Sequence, residues 1–160
     1  MRLFSAFVAV VTLAALISPP QASNASTHPP CDRVDRFEEW SDAKSDAADA
    51  QLDKGENRRV LPIYVDLARA SAECKQQNID GHVRAGVRAG NTDEAALRKE
   101  WIHADSMMIF RFYSKAAEAA AGLHDRRQCR SFVQKENDAF RGTDEFKGSN
   151  IEKDMRETCG

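Results

Sequence analysis

The chain has 160 residues and a formal net charge of −2, and 42 % of its residues are hydrophobic and 30 % charged. This length suits one domain with a modest core. The near-neutral charge argues against nucleic acid as the main partner, because phosphate binding requires a clustered excess of Lys and Arg.

The first 25 residues are typical of an export signal. A short positive start precedes an apolar run at residues 3–17, which is shorter than the roughly 20 residues that span a bilayer. Small residues at Ser23-Asn24-Ala25 then favour cleavage after Ala25 over a retained anchor. We therefore expect a secreted or periplasmic domain at residues 26–160, with no stable membrane anchor after cleavage.

Four cysteines follow the predicted signal, and none of them forms a Cys-x-x-Cys motif. An even number of cysteines in an exported chain predicts two disulfides, with three possible pairings. Antiparallel helical hairpins would bring together the first and second cysteines, and likewise the third and fourth. The expected bonds are Cys31–Cys74 and Cys129–Cys159.

Apolar residues at helical spacing predict three helices in the first part of the chain. The first covers about residues 33–54, with Asp32 as its cap and Gly55 as its stop. The second begins between Asn57 and Pro62 and ends at residues 78–81. A short third helix is expected at 82–90, where two glycines lower helix propensity but permit close packing.

The central element of the sequence is residues 92–123, where one apolar stripe runs through the whole stretch. Asn91 or Thr92 is expected to cap it. Capping boxes at Asp125 and Ser149 then predict two shorter helices. No useful strand-like alternation appears, so the sequence predicts an all-α fold with two disulfides, either a small antiparallel bundle or a short stack of helical hairpins.

The second of these architectures comes from a weak internal repeat. The pairs Gly55-Glu56, Gly90-Asn91 and His124-Asp125 are spaced 35 and 34 residues apart, and each precedes a helix. This pattern resembles the inner turns of tetratricopeptide repeats, whose period is about 34 residues. The resemblance covers about residues 43–141, lacks the family's Trp-x-x-Leu-Gly pattern, and implies helical hairpins that present a partner-binding surface.

Two residues of the central helix could hold a metal ion. Glu100 and His103 form a Glu-x-x-His pair, which places both side chains on one side of a helix. Di-iron bundles use two such pairs and further carboxylates, whereas this sequence has one pair. A single metal ion with a third ligand is one interpretation, and an exposed ion pair is the simpler one.

Two charged surfaces could bind a partner. An acidic stripe along the first helix repeats at a spacing where like charges repel, so it suits either a basic partner or an ordinary solvated face. Arg111 and Lys115 lie one turn apart among aromatic residues and could bind an anionic ligand, or could simply border the core. The acidic residues selected as binding candidates are Asp42, Asp46, Asp49 and Asp53.

The sequence contains no recognised catalytic motif. It has no Gly-x-Ser-x-Gly, no phosphate-binding Gly-rich loop with Lys, and no EF-hand loop. These features favour a non-enzymatic binding module without a cofactor, and another protein as its partner. The alternatives are a small metal-binding or hydrolytic bundle centred on Glu100 and His103, and a small-molecule carrier with a pocket beside Arg111.

Overall fold

In a computed structural model of the chain, residues 28–141 and 150–160 are described, and they form five α-helices without a strand. The predicted signal at residues 1–25 and the predicted capping residue Ser149 lie outside these ranges. The all-α prediction is confirmed. The helices are α1 Val34–Leu52, α2 Asn57–Arg88, α3 Glu94–Gly122, α4 Arg126–Ala139 and α5 Ile151–Cys159.

The antiparallel pair of α2 and α3 forms the centre of the bundle. The helix α1 packs on α2, α4 packs on α3, and α5 packs on α4 and α3. Their shared core combines a few large side chains with close-packed alanines of α3, and all of its members are buried. No helix of the described residues is long and apolar enough to cross a membrane.

Both predicted disulfides are present. Cys31–Cys74 joins the segment before α1 to the middle of α2, with the two Cα atoms 5.0 Å apart. Cys129–Cys159 joins α4 to the end of α5, with the Cα atoms 5.8 Å apart. Each bond closes an antiparallel hairpin, and each contributes about 3 kcal/mol in the loop-entropy model.

The predicted break at residues 78–81 is wrong, because α2 continues as one helix to Arg88. The glycines in this stretch provide close helix contacts instead of ending the helix. Gly81 lies against Val34 of α1, and Gly86 lies against Leu97 of α3. A contact between helices therefore compensates for the low helix propensity of glycine.

Local capping was predicted correctly only in part. Asp125 caps α4 as expected by accepting a hydrogen bond from Gln128 N. The cap of α3 is Asp93 and not Asn91 or Thr92. Asp32 does not cap α1, whose first turn follows Arg33 and receives no side-chain cap.

The apolar stripe of α3 is present in its second half, where Phe112, Ala116 and Ala119 are buried. In the first half, the buried positions are instead Asp105 and Ser106. The helix passes through Asp105 and Ser106 without a turn. The tetratricopeptide resemblance itself stays a prediction.

The contact of Gly81 with Val34 gives a test of the packing of α1 on α2. A Cβ atom at Gly81 would lie 2.5 Å from Cγ2 of Val34. We expect Gly81→Ala to lower the free energy of unfolding by about 1 kcal/mol, because steric strain outweighs the gain in helix propensity. In a Val34→Ala background the same change should stabilise the protein by up to about 1 kcal/mol. Urea denaturation of the four proteins measures both values, and equal effects in the two backgrounds would contradict the proposed contact.

Candidate functional site

A groove of about 780 Å³ lies where the start of α1 meets the second half of α2. Gly81 lets the two backbones approach at its floor, and His82 forms part of its wall. Charged residues make up most of the lining. Its residues include Asp32, Arg33, Asp35, Arg36, Glu39, His82, Arg84 and Arg88.

Four arginines give this groove its cationic side chains. Arg33 directly precedes α1 and Arg36 lies in its first turn, and Arg84 and Arg88 lie one turn apart on α2. All four are exposed, and none of them forms an ion pair with another residue in the described ranges. We call the groove that they line the arginine groove. The four guanidinium groups are therefore available to an external anion.

The start of α1 adds a further positive potential to the arginine groove. No side chain caps its first turn, so the free backbone N–H groups point out of the end of the helix. The helix dipole has the sign of a partial positive charge there. Arginine side chains and a helix N-terminus thus occupy the same end of the hairpin.

A second groove of about 600 Å³ adjoins the first and shares Arg33, Arg36 and Glu39 with it. Its other lining residues are Pro29, Pro30 and Trp40. The Trp40 ring is half-buried and packs on Phe37 and His28 at centroid distances of 5.5 Å and 5.9 Å. The neighbouring groove therefore offers a fixed apolar and aromatic surface beside the arginines.

His82 connects the arginine groove to the interior. Its Nε2 lies 2.9 Å from Oε1 of Glu38, and its ring stacks on Trp101 at a centroid distance of 3.6 Å. These contacts come from α1 and α3 respectively. The imidazole is held on both sides, so its orientation at the edge of the groove is fixed.

A buried polar cluster lies on the α2–α3 contact below His82. Asn78, Asp105 and Ser106 are 1 %, 5 % and 0 % exposed. Lys75 donates a hydrogen bond to Ser106 Oγ at 2.8 Å. Ser71, at a helical spacing from Lys75 and Asn78, is also fully buried.

The cluster changes the protonation of Asp105. Burial raises the pKa of the Asp105 carboxyl from 3.8 to about 6, against the lowering effect of Lys75 and of a hydrogen bond from Asn78. The negative charge of Glu38 contributes to this rise. Asp105 Oδ2, Asn78 Oδ1 and Ser71 Oγ are buried without a hydrogen-bond partner among the described residues.

The cluster does not form a hydrolytic site. A Lys–Ser pair can activate a hydroxyl nucleophile. Here Ser106 is completely buried between α2 and α3, so no substrate can reach its oxygen. The Lys75–Ser106 pair is a structural contact.

Two of the sequence-predicted binding residues are joined in a second polar contact. Asp49 accepts hydrogen bonds from Tyr64 OH at 2.5 Å and from Arg111 Nη2 at 2.8 Å. Burial and the neighbouring Asp49 carboxylate both raise the pKa of the buried Tyr64 hydroxyl. Asp49 and Arg111 thus bind each other across the bundle.

The remaining predicted binding residues lie on the surface. Asp42, Asp46 and Asp53 are exposed along α1, and Lys115 forms an ion pair with Glu118 at 3.2 Å. The structure does not bring them together with the arginine groove. Their binding roles stay predictions.

The proposed metal pair also stays a prediction. Glu100 and His103 are both exposed on α3. Within the described part of the chain, one group of three possible ligands lies close together, His28, Cys31 and Cys74, and it includes neither residue. Two members of that group are joined in a disulfide, so no thiolate is available there.

Sequence reasoning missed the arginine groove and the buried cluster for different reasons. The arginines lie on two helices, and the predicted end of α2 at residues 78–81 separated Arg84 and Arg88 from the α1 hairpin. In the cluster, Ser71, Lys75, Asn78 and His82 repeat at helical spacing along α2. That polar periodicity was a usable signal for the buried contact.

No protein-family model matches the chain, and neither a curated protein nor a solved structure matches it.

The Asp49 contact predicts different effects for its two donors. Tyr64→Phe should lower the free energy of unfolding by about 1.5–3 kcal/mol, because it removes a buried hydrogen bond to a charged group. Arg111→Gln should change it by less than about 1 kcal/mol, since the arginine side chain is 57 % exposed and its ion pair is screened. Urea denaturation at neutral pH measures both variants. A larger loss for Arg111→Gln than for Tyr64→Phe would contradict this assignment.

Proposed function

We propose that this protein is an exported, non-enzymatic binding module that recognises an acidic segment of another protein through the arginine groove. The observation that carries the proposal is the convergence of four arginines without ion-pair partners among the described residues, two from α1 and two from α2. Two disulfides and the export signal expected from the sequence support a location outside the cytoplasm.

Arginine is suited to this role. Its guanidinium group binds a carboxylate through two parallel hydrogen bonds, and its weak hydration lowers the cost of burial at an interface. Arg84 and Arg88 lie one turn apart on α2, so they can contact acidic groups spaced along an extended partner segment. The free N–H groups at the start of α1 can donate hydrogen bonds to another carboxylate.

The acidic residues of the arginine groove narrow its specificity. Asp32, Asp35 and Glu39 lie beside the arginines and limit the net positive charge of the surface. A dense polyanion such as nucleic acid would meet these carboxylates and be repelled. A segment with separated acidic residues can contact the arginines and avoid the three carboxylates.

The neighbouring groove supplies an apolar contact for the same segment. Trp40, Pro29 and Pro30 lie beside Arg33 and Arg36. Aromatic residues next to arginines are the typical composition of energetically important interface positions. A partner segment that alternates acidic and apolar residues would use both grooves.

This proposal is favoured over the metal and carrier alternatives. A metal centre at Glu100 and His103 lacks a third His, Cys, Asp or Glu ligand nearby within the described residues. A carrier pocket beside Arg111 is disfavoured because Arg111 binds Asp49. A hydrolytic role is disfavoured by the inaccessibility of Ser106.

The test measures binding of a short fluorescein-labelled peptide of Glu and Leu to the oxidised chain, residues 26–160, by fluorescence anisotropy. We expect the double change Arg36→Gln and Arg84→Gln to raise Kd at least about tenfold, since each lost charge-assisted hydrogen bond costs about 1.5–3 kcal/mol. A Lys–Leu peptide of the same length should not bind.

The matched control is Arg127→Gln with Arg130→Gln. These arginines are exposed on α4 and outside the groove, and their loss changes the net charge equally. The control should change Kd by less than about twofold. Equal weakening by the two double variants would show non-specific charge attraction and overturn the proposal, as would the absence of binding to the acidic peptide.

A further inference from the structure

The contact between Asn78 and Asp105 is incomplete when Asp105 is ionised. The Asn78 side chain donates a hydrogen bond to the Asp105 carboxyl, which leaves its amide oxygen as an acceptor. That oxygen, Oδ1, and the carboxyl oxygen Oδ2 are both buried without a hydrogen-bond partner among the described residues. Two unpartnered acceptors therefore belong to the same pair of side chains, in the interior of the α2–α3 contact.

One proton would satisfy both atoms. A neutral carboxylic acid has one O–H donor and one carbonyl acceptor, and a primary amide has the complementary acceptor and donor. The two groups can form a ring closed by two hydrogen bonds, in which the acid donates to the amide oxygen and the amide donates to the acid carbonyl. Asp105 Oδ2 and Asn78 Oδ1, which have no partner when Asp105 is ionised, are the two atoms that the second hydrogen bond would join.

We propose that Asp105 binds a proton and pairs with Asn78 through two hydrogen bonds, and that loss of this proton weakens the contact between α2 and α3. The proton sits on Oδ2 of Asp105 and is donated to Oδ1 of Asn78. When it leaves to solvent, a buried carboxylate and an unpartnered amide oxygen remain. This inference goes beyond the proposed binding function and does not depend on it.

The surrounding charges help to determine the pH at which Asp105 loses its proton. Lys75 of α2 stabilises the ionised carboxylate, whereas Glu38 of α1 opposes it. Glu38 in turn contacts His82 of α2. Burial is the largest effect and raises the pKa of Asp105 to about 6, so the change falls between mildly acidic and neutral conditions.

The sign of the pH effect follows from this shift. Between about pH 4 and pH 6 the folded protein binds the proton more tightly than the unfolded chain does. The free energy of unfolding therefore falls as the pH rises through this range, and the Asp105 contribution is lost above about pH 6. Above that range the folded protein contains an ionised, buried carboxylate, which is costly.

The experiment compares urea denaturation of the oxidised chain and its Asp105→Asn variant at pH 5 and pH 8. An amide at position 105 can pair with Asn78 at either pH. We expect the ratio of folding equilibrium constants, unmodified protein to variant, to fall about tenfold from pH 5 to pH 8. A ratio that stays constant would overturn the proposal.

Glu136 requires a control, because its burial and the nearby Asp154 raise the pKa of its carboxyl to about 7. Repeating the comparison in a Glu136→Gln background removes that second titration. The same tenfold change in the ratio should remain. Its disappearance in this background would assign the pH effect to Glu136 and overturn the proposal.

NMR of the unmodified chain tests the pairing itself and does not depend on a folded variant. The Cγ signal of Asp105 and the side-chain amide signals of Asn78 should titrate with one common midpoint near pH 6. Burial of Asp105 alone would move the first signal without the second. Asn78 amide signals that stay unchanged through the Asp105 midpoint would overturn the proposed pair.

Discussion

The contact between α2 and α3 is the constraint on which the rest of the bundle depends. These two helices have 32 and 29 residues, and each also carries one of the outer helices, α1 on α2 and α4 on α3. At one end the contact is made by alanines of α3 against large apolar residues of α2, which allows a close approach. At the other end it is made by polar side chains, Gly86 against Leu97, and an ion pair of Arg98 with Asp80 at 2.7 Å.

The two ends of this contact differ in how their stability responds to conditions. Close-packed apolar residues stabilise through area removed from water, which does not depend on pH. A buried cluster of Lys75, Asn78, Asp105 and Ser106 stabilises only when its donors and acceptors are matched. The polar end is therefore the part of the α2–α3 contact whose stability changes with protonation. It is also the end at which His82 reaches the arginine groove.

The sequence predicted the fold where one local signal was sufficient. Helical periodicity predicted α1, α3 and the absence of strands, and hairpin geometry predicted both disulfides correctly. The prediction failed where a contact between helices reversed a local preference. Gly81 was expected to end α2, but the helix continues there because Gly81 packs against Val34 of α1. The prediction also failed at Asp105 and Ser106, because a hydrophobicity pattern assigns polar residues to the exposed face of a helix even where they are buried. The arginine groove could not be predicted, since its residues come from two helices whose register depends on the continuity of α2.

The disulfide Cys31–Cys74 links these observations. The first turn of α1 has no side-chain cap, and two of its arginines have no partner among the described residues, so local energetics disfavour this helix start. The disulfide fixes Cys31, three residues before α1, to a fully buried position of α2, and Phe37 packs into the core one turn into the helix. A covalent bond and a buried aromatic ring thus hold in place a surface that its own sequence does not stabilise. Low local stability of this kind is expected at functional sites, where polar groups without a partner in the protein remain available to a ligand. The start of α1 therefore combines a first turn without a side-chain cap with a covalent restraint, and such preorganisation is what the proposed binding surface requires.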